Sequence, residues 1–121
     1  MKKKMKGSEI YKKAMLLLGY NDIINNQSLQ ARFEEQGAEL ISQIADDLQI
    51  SGIESLSSDL EINTAQREAL IYGTAMLLSL TEGDTSKNRI FAELYNAKRA
   101  AALKKTAEIL NVMPLTEVDG Q

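Results

Sequence analysis

The sequence predicts an all-α protein, a small bundle of about four helices with a central apolar helix and a long C-terminal helix. Three observations carry this. Leu29, Phe33, Leu40, Ile41, Ile44 and Leu48 share one broad sector at about 100° per residue, the signature of an amphipathic helix. Helix start and stop signals divide the chain: Gly19, the box Asn63-Thr64-Ala65-Gln66, Gly83 and Pro114. No segment reads as a convincing strand.

The elements follow in order. Residues 1–7 read as a flexible basic arm. The first helix runs from about Ser8 to Leu18, with Ser8 as N-cap and Gly19 as stop. The loop GYNDIINNQ is rich in Asn and Asp, which tolerate turn conformations. A second helix spans about Ser28 to Gln49, with Glu35, Glu39 and Asp46 clustered almost opposite its apolar sector. Gly37 lies inside that sector and costs about 1 kcal/mol of helix propensity relative to alanine, which close approach by another helix would offset. Residues 50–63 read as a connector that covers the core as a loop, with room for a short helical turn.

The third helix, about Thr64 to Glu82, is apolar around most of its circumference, leaving Glu68, Tyr72 and Ser79 as a narrow polar line. A helix of that kind is surrounded by protein. Gly83 fits the left-handed position after it, and Asp84 or Thr85 fits the next cap, so the following helix is its antiparallel neighbour. The fourth helix runs from about Ser86 to Asn111. Ile90, Leu94, Ala97 and Ala101 form one apolar line, with Phe91 and Tyr95 beside it. Farther on, the apolar line shifts to Leu103, Ala107 and Leu110. Two lines on one helix imply two partners. Residues 8–111 thus form a single helical domain, and residues 112–121 a flexible tail that orders on docking.

Composition narrows the function classes. The chain contains neither cysteine nor histidine, which removes thiolate chemistry, disulfides, the commonest general base and the commonest metal ligand. Glu34 and Glu35, like Asp46 and Asp47, are sequence neighbours that point about 100° apart on a helix, so neither pair converges on a site. There is no glycine-rich phosphate loop, and Ser86-Lys87 does not read as a catalytic dyad. No enzyme, cofactor or metal is expected. No apolar run approaches the ~20 residues of a membrane span. The opening MKKKMKGSEIYKKAMLLLGY has too short an apolar stretch, and no small-residue cleavage site, for a signal peptide.

Charge is strongly segregated. Residues 1–20 carry six lysines against Glu9, residues 21–86 carry twelve acids against Arg32 and Arg67, and residues 87–105 carry six basic residues against Glu93. Blocks of this kind favour contact between unlike patches. Lys2, Lys3, Lys4 and Lys6 can contact phosphates or a docking partner, the alternative being a solvated terminus. Lys87, Lys98 and Lys105 fall near one line of the fourth helix, and Glu35, Glu39 and Asp46 offer a complementary acidic line. Placed on different subunits, with Leu103 and Leu110 as apolar contacts, these lines make a head-to-tail interface that can close into a ring. The alternative is a pair of solvated faces whose exposed ion pairs contribute ~0–1 kcal/mol each.

The run Ala69-Leu70-Ile71-Tyr72-Gly73-Thr74-Ala75, then Leu77-Leu78, Glu82-Gly83-Asp84, Phe91 and Leu94-Tyr95-Asn96, resembles the small head–tail connector proteins, the neck or adaptor subunits, of tailed bacteriophages. The resemblance covers roughly residues 8–110 and rests on small, apolar and turn residues. It implies a virion structural protein that performs no chemistry. Such a subunit forms a ring of about a dozen copies, docks the portal and the tail, and leaves a channel for DNA. The acidic middle of the chain suits a channel wall that does not grip DNA. A second reading is a small helical DNA-binding or regulatory protein, using the lysine arm and Thr85-Ser86-Lys87-Asn88-Arg89 at the start of the fourth helix; the acidic balance opposes it. A helical enzyme using carboxylates alone is a third.

Overall fold

The computed structural model describes the backbone of residues 2–20 and 27–111, and the side chains of residues 2–20 and 34–104. The expected turn-rich loop at 21–26, the tail 112–121 and the side chains of Leu29, Phe33, Lys105, Ala107 and Leu110 lie outside the described residues. The elements are β1 (Lys3–Lys6), α1 (Gly7–Leu18), α2 (Gln27–Asp47), β2 (Asp59–Ile62), α3 (Thr64–Thr81) and α4 (Thr85–Asn111). The protein is predominantly helical, and β1 and β2 pair as a two-stranded antiparallel sheet.

That sheet corrects two expectations. Within the supposed flexible arm, Lys3 to Lys6 pair with residues 59–62 of the supposed loop, in the register Lys3 to Ile62 and Lys6 to Asp59. A lone hairpin-sized sheet is marginal in water. This one is anchored because Met5, Leu60 and Ile62 are buried in the main core. On the exposed face opposite charges meet across the strands: Lys4 faces Glu61, and Lys6 Nζ lies 3.6 Å from Asp59. The ladder runs directly into α1, where Gly7 N donates to Ser58 O and Ser8 N to Leu56 O. Lys6, not Ser8, is therefore the cap residue, and its amide donates to the Glu9 carboxylate at 3.3 Å.

Several local signals act as read. Gly19 and Gly83 adopt left-handed φ values of 78° and 71°. Asn63 caps α3 reciprocally: Gln66 N donates to Asn63 Oδ1 at 2.8 Å, and Asn63 N donates to Gln66 Oε1 at 3.0 Å. Asp84 caps α4 through the Lys87 amide. At Gly37 the close approach comes from Leu56 of the connector and Tyr11 of α1. The connector itself is pinned to α2 by Ser42, whose hydroxyl donates to Ile53 O and accepts from Ile53 N, both at 3.0 Å.

Helix α3 packs against α1, α2 and α4. Ser79, expected on its polar line, is fully buried; its hydroxyl donates to Met76 O at 2.7 Å, which satisfies it without water. Gly73 lies where α2 and α4 both close on α3. A Cβ there would meet Ile44 Cγ2 at 2.7 Å and Tyr95 Cε1 at 2.9 Å.

Of the two neighbouring apolar lines at the start of α4, the aromatic one faces the core. Among the described residues of α4 the buried ones are Phe91, Tyr95 and Ala102, whereas Ile90 and Leu94 are 54% and 40% exposed, with Ala97 and Ala101 exposed beside them. The aromatic pair determines which line faces inward. Phe91 packs on Tyr72 with ring centroids 5.9 Å apart, and Tyr95 lies against Gly73.

Gly73→Ala is expected to destabilise the fold by about 1–3 kcal/mol through overpacking, read as a lower urea midpoint at unchanged slope. Gly83, around which a Cβ would meet nothing within 4 Å, provides the comparison. Gly83→Ala carries only left-handed backbone strain of about 1–2 kcal/mol.

Candidate subunit interface

Two members of the basic line of α4, Lys87 and Lys98, are engaged within the chain. Lys87 Nζ donates to Leu18 O at 2.6 Å, lies 3.7 Å from Asp84 Oδ2, and sits 5.2 Å from the Tyr20 ring centroid. It thereby satisfies a carbonyl at the end of α1, a helix with no basic residue of its own in its last turn. Lys98 Nζ lies 3.2 Å from Glu68 Oε1 and 5.2 Å from the Tyr72 ring centroid. These contacts tie α4 to α1 and α3, so Lys87 and Lys98 already have partners in their own chain. Lys105 and Leu110 fall outside the described side chains, and Leu103 is half-buried.

A further clasp, absent from the sequence reading, joins α4 to α2. Tyr95 Oη donates to Asp47 Oδ2 at 2.5 Å, and Arg99 Nε donates to the same oxygen at 2.7 Å. The two donors hold the Asp47 carboxyl below its ordinary value, the Tyr95 hydrogen bond first and the Arg99 one next. Burial, and then the adjacent carboxylate, push the Tyr95 hydroxyl well up. Tyr95 and Arg99 stand one helical turn apart, which the sequence displays. Their acceptor lies 48 residues from Tyr95, which no local pattern displays.

The acidic line is in a different state. Glu35, Glu39 and Asp46 are exposed on α2 and form no ion pair among the described residues. Of the N-terminal lysines, Lys2, Lys3 and Lys4 are exposed, and Lys6 pairs with Asp59. Lys3 and Lys4 join Lys13, Arg67 and Glu9 around an open cleft of ≈ 410 Å³ at the start of α3. No group of acidic residues converges as a metal site among the described residues, and no described helix is long and apolar enough to cross a membrane.

What remains uncovered is apolar. Among the described residues the exposed large apolar side chains are Leu16 and Leu17 on α1, Leu80 on α3, and Ile90 and Leu94 on α4. Ile90, Leu94, Ala97 and Ala101 follow a four-three-four spacing, which is the seam of a helix that packs lengthwise on another. No family model, curated protein or solved structure matches the chain.

The Asp47 clasp makes stability depend on pH. A carboxyl held below its ordinary 3.8 stabilises the fold above that pH, and the contribution disappears as the pH falls through the lower folded value. The Asp47 side chain is 44% exposed, so solvent screening limits the effect to ~0–1 kcal/mol. Asp47→Asn is expected to be less stable than the parent at neutral pH. The difference, followed by urea denaturation at a series of pH values, narrows as the pH is lowered past 3.8.

Proposed function

We propose that the protein is a structural subunit of a phage head–tail connector, a ring of like copies in the virion that joins portal to tail and leaves a passage for DNA. The observation that carries this is the outward apolar seam Ile90-Leu94-Ala97-Ala101 of α4. An isolated subunit gains nothing by exposing a helix-packing seam, whereas a subunit that packs against copies of itself requires one. The resemblance of residues 69–96 to connector subunits points to the same role. In this reading the helices form a small bundle around α3, and the protein is an assembly component and not an enzyme. Its partners are its own copies, the portal and the tail. The exposed Lys2, Lys3 and Lys4 provide a contact to the portal or to passing DNA.

The second reading, a small DNA-binding protein, is favoured by one observation, the basic cleft lined by Lys3, Lys4, Lys13 and Arg67. It predicts binding to duplex DNA that weakens steeply with salt.

Sedimentation of the full chain over a wide concentration range, alone and with an isolated portal ring, separates the two. The connector reading expects self-association into closed rings. It also expects Leu94→Glu to weaken that association by roughly tenfold or more, since burying one leucine contributes about 1.5–3 kcal/mol, while the circular dichroism spectrum is unchanged. A chain that remains monomeric under both conditions and binds duplex DNA with a steep salt dependence contradicts it.

A further inference from the structure

The molecule leaves different things uncovered on its two flanks. At about 100° per residue along α4, Arg99 points about 170° from the mean direction of Ile90, Leu94, Ala97 and Ala101. Arg99 bonds Asp47 at the end of α2, so the seam faces away from α2. Helix α1 stands on the seam's side. Lys87 and Lys98, about 50–70° from the seam, reach Leu18 O and Glu68. Glu68 in turn shares an open cleft with Lys13, Leu16 and Leu17.

The uncovered apolar residues therefore sort by flank. Leu16, Leu17, Ile90 and Leu94 are on the α1 side, accompanied by Lys12, Lys13 and Lys104, which are exposed and form no ion pair among the described residues. On the α2 side the single large exposed apolar residue among those described is Leu80, which is 62% exposed. It lines a cleft of ≈ 330 Å³ with Leu40, Leu77, Gln43 and Glu39. Glu39 belongs to the exposed acidic line of Glu35 and Asp46. One flank is an apolar ridge with basic neighbours, and the other is an apolar cleft with an acidic rim.

We propose that the α4 seam of one copy sits in the Leu40–Leu77–Leu80 cleft of the next copy, head to tail. The proposal rests on the self-assembly read above and names the two surfaces that meet. Ridge fits cleft, and the lysine-bearing flank meets the acidic line, which forms no ion pair among the described residues. A parallel pairing of two seams would instead set Lys104 against Lys104 of the other copy, which like-charge repulsion disfavours. Because ridge and cleft lie on opposite flanks, every dimer keeps one of each free. The contact therefore propagates and closes into a ring when the rotation permits.

The chain has no cysteine, so single introduced cysteines report contacts without background. Leu80→Cys and Leu94→Cys replace exposed side chains and leave the core intact. Mildly oxidised at concentrations where the unmodified chain self-associates, each alone is expected to remain uncrosslinked, and an equimolar mixture to give a covalent heterodimer. The double variant is expected to give a ladder of multimers. A second measurement uses Leu80→Glu and Leu94→Glu. Each alone loses assembly, and their mixture recovers dimers that go no further, since one intact interface remains. Leu94→Cys homodimers without a heterodimer, or assembly of the unmodified chain with no crosslink between positions 80 and 94, overturns the head-to-tail docking and leaves self-assembly standing. A chain that stays monomeric at every concentration, alone and with a portal ring, overturns both.

Discussion

The contact at Gly73 fixes how the rest of the molecule can be arranged. Helix α3 has apolar residues on nearly every side and must be covered from several directions. At Gly73 the missing Cβ lets Ile44 of α2 and Tyr95 of α4 reach its backbone together. With Tyr95 seated there, its hydroxyl meets Asp47 and Phe91 falls on Tyr72. These three contacts set the rotation of α4 about its own axis. The turned-out seam of Ile90, Leu94, Ala97 and Ala101 is a direct consequence, because a helix that points its aromatic pair inward holds a line about 100° away at the surface.

The charge blocks serve two ends, only one of which is internal. Lys87, Lys98 and Arg99 fasten α4 to α1, α3 and α2 respectively. Each of these contacts is at least partly exposed and individually weak; together they reinforce the rotation that Tyr95 imposes. The acids of α2 outside that clasp have no such role. Glu35, Glu39 and Asp46 stand in solvent beside an apolar cleft, while the exposed Lys12, Lys13 and Lys104 stand on the opposite flank. In the proposed ring these unlike flanks meet.

Much of the helical architecture was legible in the sequence because its signals are local. The Asn63–Gln66 box, Gly19, Gly83 and the Asp84 cap each act within one turn, and each acts in the structure as read. The sheet was not legible. Its strands are four residues each, Lys3–Lys6 contains a single apolar residue, and Asp59–Ile62 alternates over too short a span to stand out from a loop. The orientation of α4 was not legible either. Ile90-Leu94 and Phe91-Tyr95 are adjacent lines of similar apolarity, and only the vacancy at Gly73, on another helix, decides between them. For the interface, the acidic line on α2 was visible as a line. The basic line was visible too, but not that two of its members bond within their own chain.

Whether the outward face of α4 is a contact surface can be measured by covalent radical labelling of the leucine and isoleucine side chains in dilute and assembled samples. The predicted result is joint protection of Leu80, Ile90 and Leu94 on assembly, while Leu70 and Leu78, already buried, stay unlabelled throughout. Labelling of Leu80, Ile90 and Leu94 that is the same in both samples would contradict it.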